Sequence, residues 1–100
     1  KKLTKRIMEV KRVDDGKRGA FVAVDGEAQA GLMTYTWAGT DKFIIDHTEV
    51  NPDFGGRGVG KKMVMEAVVF ARANNLKIIP LCPFAKSVFD KEQALHDVLG

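Results

Sequence analysis

Asp46-His47-Thr48-Glu49-Val50-Asn51-Pro52-Asp53-Phe54-Gly55-Gly56-Arg57-Gly58-Val59-Gly60-Lys61 joins two segments of different character. Upstream, Phe43 to Val50 is rich in β-branched residues and reads as a strand. Downstream, from about Gly58 to Asn74, apolar residues recur as Met63, Val64, Ala67, Val68, Phe70 and Ala71. That is helical spacing, with Lys61, Lys62, Glu66 and Arg72 towards the other side. Between the two, four glycines fall within six positions, at Gly55, Gly56, Gly58 and Gly60. A glycine cluster between a strand and a helix leaves backbone N–H groups uncovered where the helix begins. The helix dipole adds partial positive charge there, a combination that attracts phosphate or pyrophosphate.

The rest of the chain is read around this hinge. Ile7 to Val13 begins a strand, and Asp14-Asp15-Gly16-Lys17 is a turn. Ala20 to Val24 is a second strand, and Asp25-Gly26 repeats the hairpin signal. Glu27 to Trp37 is a third strand, with Ala28, Ala30 and Leu32 on one alternating face. Ala38 to Asp41 is the next turn, and Phe43 to Val50 the fourth strand. Lys77 to Leu81 is a fifth, in which Pro80 cannot donate to a ladder and suits a place where the strand leaves its neighbour. Phe84 to about Gln93 is a short helix with Pro83 near its first turn, and Ala94 to Gly100 is a weak helix or tail. The fold class is therefore α+β: an antiparallel meander of four strands, then a βαβ unit whose strands four and five run parallel and splay apart.

Composition narrows the class. One hundred residues, 45% apolar and 29% charged, make one globular domain spanning 1–100. A net charge of +3, spread along the chain, does not imply nucleic acid. Cys82 is the only cysteine, which excludes an internal disulfide and suggests a cytoplasmic setting. Apolar runs such as Ala67 to Ala71 are too short to cross a bilayer, so no membrane partner is expected. No metal-ligand pattern is present. The oligomeric expectation is a monomer or weak dimer.

Three phosphate motifs compete for the glycine loop. Gly55-x-x-x-x-Gly60-Lys61 nearly matches a P-loop, but Lys62 stands where the magnesium-binding Ser or Thr belongs. The dinucleotide fingerprint needs Gly-x-Gly-x-x-Gly, whereas the spacing here is Gly56-x-Gly58-x-Gly60. The third fits. Val50-Asn51-Pro52 followed by Gly55-Gly56-Arg57-Gly58-Val59-Gly60 resembles the acyl-CoA pyrophosphate loop of the GCN5-related N-acetyltransferases, Arg/Gln-x-x-Gly-x-Gly/Ala between the fourth strand and a helix. Gly58 and Gly60 take the last two positions; the first is Gly55, with Arg57 two places later. Together with Asp46 to Val50 and Leu81-Cys82-Pro83-Phe84-Ala85-Lys86, the chain is similar to the small single-domain members of that family, the YjdJ type. Larger relatives place helices between the first two strands, where this sequence has only the Asp14-Asp15-Gly16 turn.

The resemblance implies acetyl transfer from acetyl-CoA to an unidentified amine, in a cleft between strands four and five. It implies a CoA site made of Val50, Gly55, Gly56, Arg57, Gly58, Val59, Gly60, Lys61, Pro83, Phe84, Lys86 and Ser87. The alternative is a CoA-binding module without significant turnover. A lysine-like amine has a pKa near 10.4, so freeing it at pH 7 costs about 4 kcal/mol and calls for a general base. Period-two alternation puts Ile45, His47 and Glu49 on one face of strand four, with Ile44, Asp46, Thr48 and Val50 on the other. His47 is either that base or a hydrogen-bonded strand histidine. Glu49 is either its partner or a solvated carboxylate, and Asp46 reads as a structural acceptor. Cys82 follows strand five, where the resembled fold brings the thioester. It is either a transient acetyl carrier, the proton donor to the leaving thiolate, or a small buried hydrophobe. Tyr35 and Trp37 read as sealing a sheet face, and His96 as surface.

Overall fold

The computed structural model describes residues 8–100. The expected start of the first strand at Ile7 lies outside them. Five strands follow the meander in order: β1 (Met8–Asp14), β2 (Arg18–Asp25), β3 (Ala28–Trp37), β4 (Lys42–Val50) and β5 (Lys77–Pro80). They form one sheet in the order β1-β2-β3-β4-β5, antiparallel except for the parallel β4–β5 pair. α1 (Val59–Asn74) carries the chain from β4 back to β5, and α2 (Pro83–Lys91) follows β5. Antiparallel neighbours need only tight turns, whereas the parallel pair needs a helix-length crossover.

α1 starts where Gly58 adopts the left-handed conformation (φ 71°) and stops where Asn75 does the same (φ 57°), its N–H reaching the Ala71 carbonyl. Its apolar stripe buries Met63, Val64, Ala67, Val68 and Ala71 against Phe21, Met33, Phe43 and Ile45 of the sheet. Both helices cover one face, and α2 adds Ala85, Val88 and Phe89 to the same core. The opposite face carries Val13, Val22, Leu32, Thr34 and Ile44, all partly or wholly exposed; among the described residues, no helix covers it.

Tyr35 is buried and Trp37 half-buried against the core. Their rings pack with Phe21, Phe43 and Phe70. Tyr35 passes over Gly19, where any Cβ would sit 2.3 Å from the ring. Its hydroxyl therefore reaches β1, donating to Asp14 Oδ2 at 2.6 Å and accepting from Arg12 at 2.8 Å. Trp37 Nε1 donates to the same carboxylate at 2.8 Å. The expected weak helix or tail from Ala94 is a short 3-10 segment. This segment, from Gln93 to Val98, is held by Arg72 on Asp97, and the Gly100 N–H closes on the Ile78 carbonyl beside β5.

Two bulges correct the alternation read from the sequence. Ala23 pairs with Gly31 but Val24 with Gln29, so Ala30 is an extra residue in β3. Ala30 and Gly31 are consequently both buried, and Ala28, Ala30 and Leu32 do not share a face. In β4, Ile45 pairs with Tyr35 but His47 with Thr34, so Asp46 is the extra residue. One extra residue inverts the parity of everything after it.

Candidate active site

The β4 bulge sits where β4 and β5 separate. Their pairing runs only from Lys42–Lys77 to Ile45–Pro80. The Ile45 carbonyl then accepts from both the Leu81 N–H (3.2 Å) and the Cys82 N–H (3.1 Å), and the chain turns into α2 at Pro83. Proline at the last paired position removes the donor that would extend the ladder. Beyond Ile45, only the β3 side of β4 is paired. Asn51 N–H donates to the Ala30 carbonyl at 2.8 Å. By the alternation of an antiparallel ladder, His47 and Glu49 also bond towards β3, while Thr48 and Val50 aim their backbone N–H and C=O groups into the split.

The split leads to the glycine loop. The Asn51 side chain anchors it from both ends: Oδ1 accepts from the Asp53 N–H (2.9 Å) and Nδ2 donates to the Gln29 carbonyl (3.1 Å). Pro52–Phe54 forms one 3-10 turn, closed by the Gly55 N–H on the Pro52 carbonyl. Gly56 (φ 77°) and Gly58 (φ 71°) then take backbone conformations that side chains resist, and open space lies where their Cβ atoms would be. No side chain caps α1, and no acidic residue stands in its first turn. The first intrahelical bond is Lys62 N–H to the Gly58 carbonyl, so the preceding N–H groups have no helical partner. Gly60 has a different role. A Cβ there would lie 2.6 Å from Phe84 Cζ, so this glycine lets the start of α2 pack on the start of α1.

The structure brings some expected CoA residues together and withdraws others. Lys61, Phe84 and Ser87 line a cleft of about 280 Å³ with Val88, Lys91 and Glu92, beside the loop. Lys61 Nζ is 3.0 Å from Glu92 Oε2. Lys86 instead pairs with Asp90 along α2 (3.1 Å), and Ser87 Oγ donates to the Phe84 carbonyl (2.7 Å). Arg57 turns back towards the buried Asp25 carboxylate at 3.5 Å, its guanidinium 5.0 Å from the centre of the Phe54 ring. Its side chain is thus engaged at the β2–β3 end of the sheet.

The proposed reacting groups lie on two faces. His47 Nε2 and Glu49 Oε2 are 2.9 Å apart and exposed. Through the inverted parity they point away from the helices, whereas Ile45 points into the core: the face expected to hold all three holds only two. Thr48, cross-strand from buried Met33, lies on the helix side, and its Oγ1 is 3.2 Å from Cys82 Sγ. Cys82 is 4% exposed and stands at the N-cap of α2. The thiol's partner is therefore Thr48, not His47. Thr48 escaped the sequence reading because only the bulge turns it inward; the signal available was its place between His47 and Glu49. His96 is exposed, as expected, with Nε2 2.6 Å from the Phe89 carbonyl oxygen.

No helix among the described residues is long and apolar enough to cross a membrane. Comparison with curated proteins finds no match. Among solved structures, the solution structure of a GCN5-like protein from Staphylococcus aureus is similar at 37% identity and a TM-score of 0.67, over 92% of this chain and 87% of that one. The crystal structure of a nourseothricin acetyltransferase is similar at 28% identity and a TM-score of 0.53, over 65% of this chain but 40% of that one. The family profile described as GCN5-related N-acetyl-transferase matches residues 20–98, which take in the bulged β4, the glycine loop and Cys82. The chain belongs to the GCN5-related N-acetyltransferase family.

Proposed function

We propose that the protein transfers an acetyl group from acetyl-CoA to a primary amine by general-base assistance, with the thioester placed in the β4–β5 split. One observation carries this reading: Thr48 and Val50 present unpaired backbone groups along a gap that ends at the uncapped start of α1. An extended amide-bearing arm can add to β4 as a strand would, and a diphosphate can take the free N–H groups of Gly58, Val59, Gly60 and Lys61. Lys61, Phe84 and Ser87, next to that loop, suit the nucleotide end. Gly55, Gly56 and Pro83 shape the walls, while Arg57 and Lys86 are engaged elsewhere and contribute charge at a distance.

Acetyl-CoA supplies the activated acyl group. The amine arrives as ammonium and must lose one proton before its nitrogen can form the new C–N bond. The exposed His47–Glu49 pair is arranged to take it, the imidazole accepting and the carboxylate holding the charged ring. As the C–S bond breaks, the thiolate of CoA takes the second nitrogen proton, so charge and atoms balance. Cys82, buried and bonded to Thr48, lies on the thioester side as a neighbour of the departing sulfur rather than as the acyl carrier.

A second reading, a CoA-binding module with little turnover, is favoured by the diversion of Arg57 to Asp25. Calorimetry with acetyl-CoA, followed by transfer assays on a panel of amines, separates the two. Micromolar to millimolar binding with turnover that falls in His47→Gln supports the transferase. Binding without turnover supports the module, and no binding at millimolar ligand rejects both.

A further inference from the structure

A cleft of about 430 Å³ opens on the uncovered face of the sheet, lined by Arg18, Gly19, Thr34, Tyr35, Thr36 and Asp46. That volume is in the range of small-molecule sites. It abuts the reacting region through the β4 bulge. Asp46 is the bulged residue, next to Ile45, where β4 and β5 part. Thr34, in the cleft wall, lies directly across from His47, which continues to Glu49 at 2.9 Å.

Asp46 Oδ2 accepts from Thr36 Oγ1 at 2.7 Å, which holds the carboxylate in place; among the described residues its other oxygen has no hydrogen-bond donor. Arg18 is the cation. Neither side chain forms an ion pair with any described residue, although both line the same cavity. Two threonine hydroxyls lie with them. One fixed anion beside the proton-accepting pair, and one guanidinium in the same cleft, match a ligand that carries both an ammonium and a carboxylate. Arg18 would repel the second charge of a polyamine.

We infer that this cleft is the acceptor subsite and that the acceptor is a small zwitterionic amine, an amino acid in chemical class. Its ammonium is held by Asp46 beside His47–Glu49, and its carboxylate by Arg18. This rests on the transferase reading above, and it places acceptor and thioester on opposite faces of the sheet, meeting through the gap after Ile45.

The test is amide-shift mapping by NMR on the whole chain, with and without saturating CoA, using glycine, β-alanine and γ-aminobutyrate against β-alaninamide and spermidine. The expected result is saturable shifts at Thr34, Thr36 and Asp46 for at least one amino acid. Its affinity should fall at least tenfold in Arg18→Gln and in Asp46→Asn, with the amide and spermidine binding at least tenfold more weakly to the unaltered chain. CoA affinity, measured by calorimetry, should stay within twofold in both variants. Shifts that fall elsewhere, or spermidine binding as tightly as the amino acids, would overturn the assignment. Failure of CoA itself to bind would remove the transferase reading, while the amine shifts recorded without CoA would still decide the cleft.

Discussion

Thr48 Oγ1 and Cys82 Sγ meet at 3.2 Å across the mouth of the β4–β5 split, on the face opposite the His47–Glu49 pair. The contact occupies the thiol and, with Cys82 only 4% exposed, closes the approach that an acyl carrier needs. Intact-mass spectrometry after incubation with acetyl-CoA should therefore show no acetyl adduct on Cys82. An adduct that disappears in Cys82→Ala would instead establish transfer through the sulfur.

The proposed base, His47 with Glu49, lies on the other face. His47→Gln and Glu49→Gln should each lower kcat, the first by about 10²-fold or more, the scale of a lost proton acceptor. CoA affinity should hardly move, because neither side chain points into the split. Steady-state kinetics with calorimetry on the same samples checks both halves, and unchanged turnover in His47→Gln would remove this residue from the chemistry.

Gly60 is a packing glycine. Adding a Cβ 2.6 Å from Phe84 Cζ forces the ring to move. Gly60→Ala should cost about 1–3 kcal/mol, the usual range for an overpacked contact, and should weaken CoA binding by shifting the helix start. Phe84→Ala removes the obstacle, so the two changes should be non-additive in a double-mutant cycle read by chemical denaturation. Additive losses would mean that the ring and the glycine do not confront each other.

Tyr35 is the single tyrosine, so its ionisation can be followed directly by ultraviolet absorbance. Burial, and after it the hydrogen bond to the Asp14 carboxylate, pushes the phenol up to about 12. A raised folded pKa means the associated stability is intact below pH 10 and is lost as pH climbs towards 12. The expected observation is an alkaline transition in which absorbance change and unfolding coincide, starting above pH 10. A reversible midpoint near 10 with the fold intact would show a solvated ring.

Asp14 provides the acid-side counterpart. The Tyr35 hydroxyl first, then the Gly16 N–H and the Trp37 indole, hold its carboxyl below the usual carboxylate range. Its folded pKa is depressed, so its contribution is present above about pH 4 and fades as pH falls through the lower folded value. Asp14→Asn should leave a shallower dependence of stability on pH below 4 in urea melts. An unaltered slope would mean that the carboxylate is not tied to the ring.

Much of this molecule was legible in its residues. The Asp-Gly turns, the shift from period two to period three-to-four after Gly58, and Pro80 at the end of β5 sufficed for the meander, the crossover helix and the splay. Local backbone chemistry decides these features, because turn residues, helical spacing and a missing N–H act within a few positions of themselves. The loop of Gly56, Gly58 and Gly60 announced a helix start without side chains for the same reason. What stayed hidden was the assignment of faces. Asp46 looks like any strand residue, and only its lack of a partner on β3 makes it a bulge. That single unpaired position sends His47 and Glu49 to one side and Thr48 to the other, and joins Thr48 to Cys82, 34 positions later. The pull of buried Asp25 on Arg57, and the meeting of Arg18 with Asp46 in one cleft, likewise depend on register between strands. Register is fixed by which side chains can be buried together, a long-range property that no stretch of sequence contains by itself.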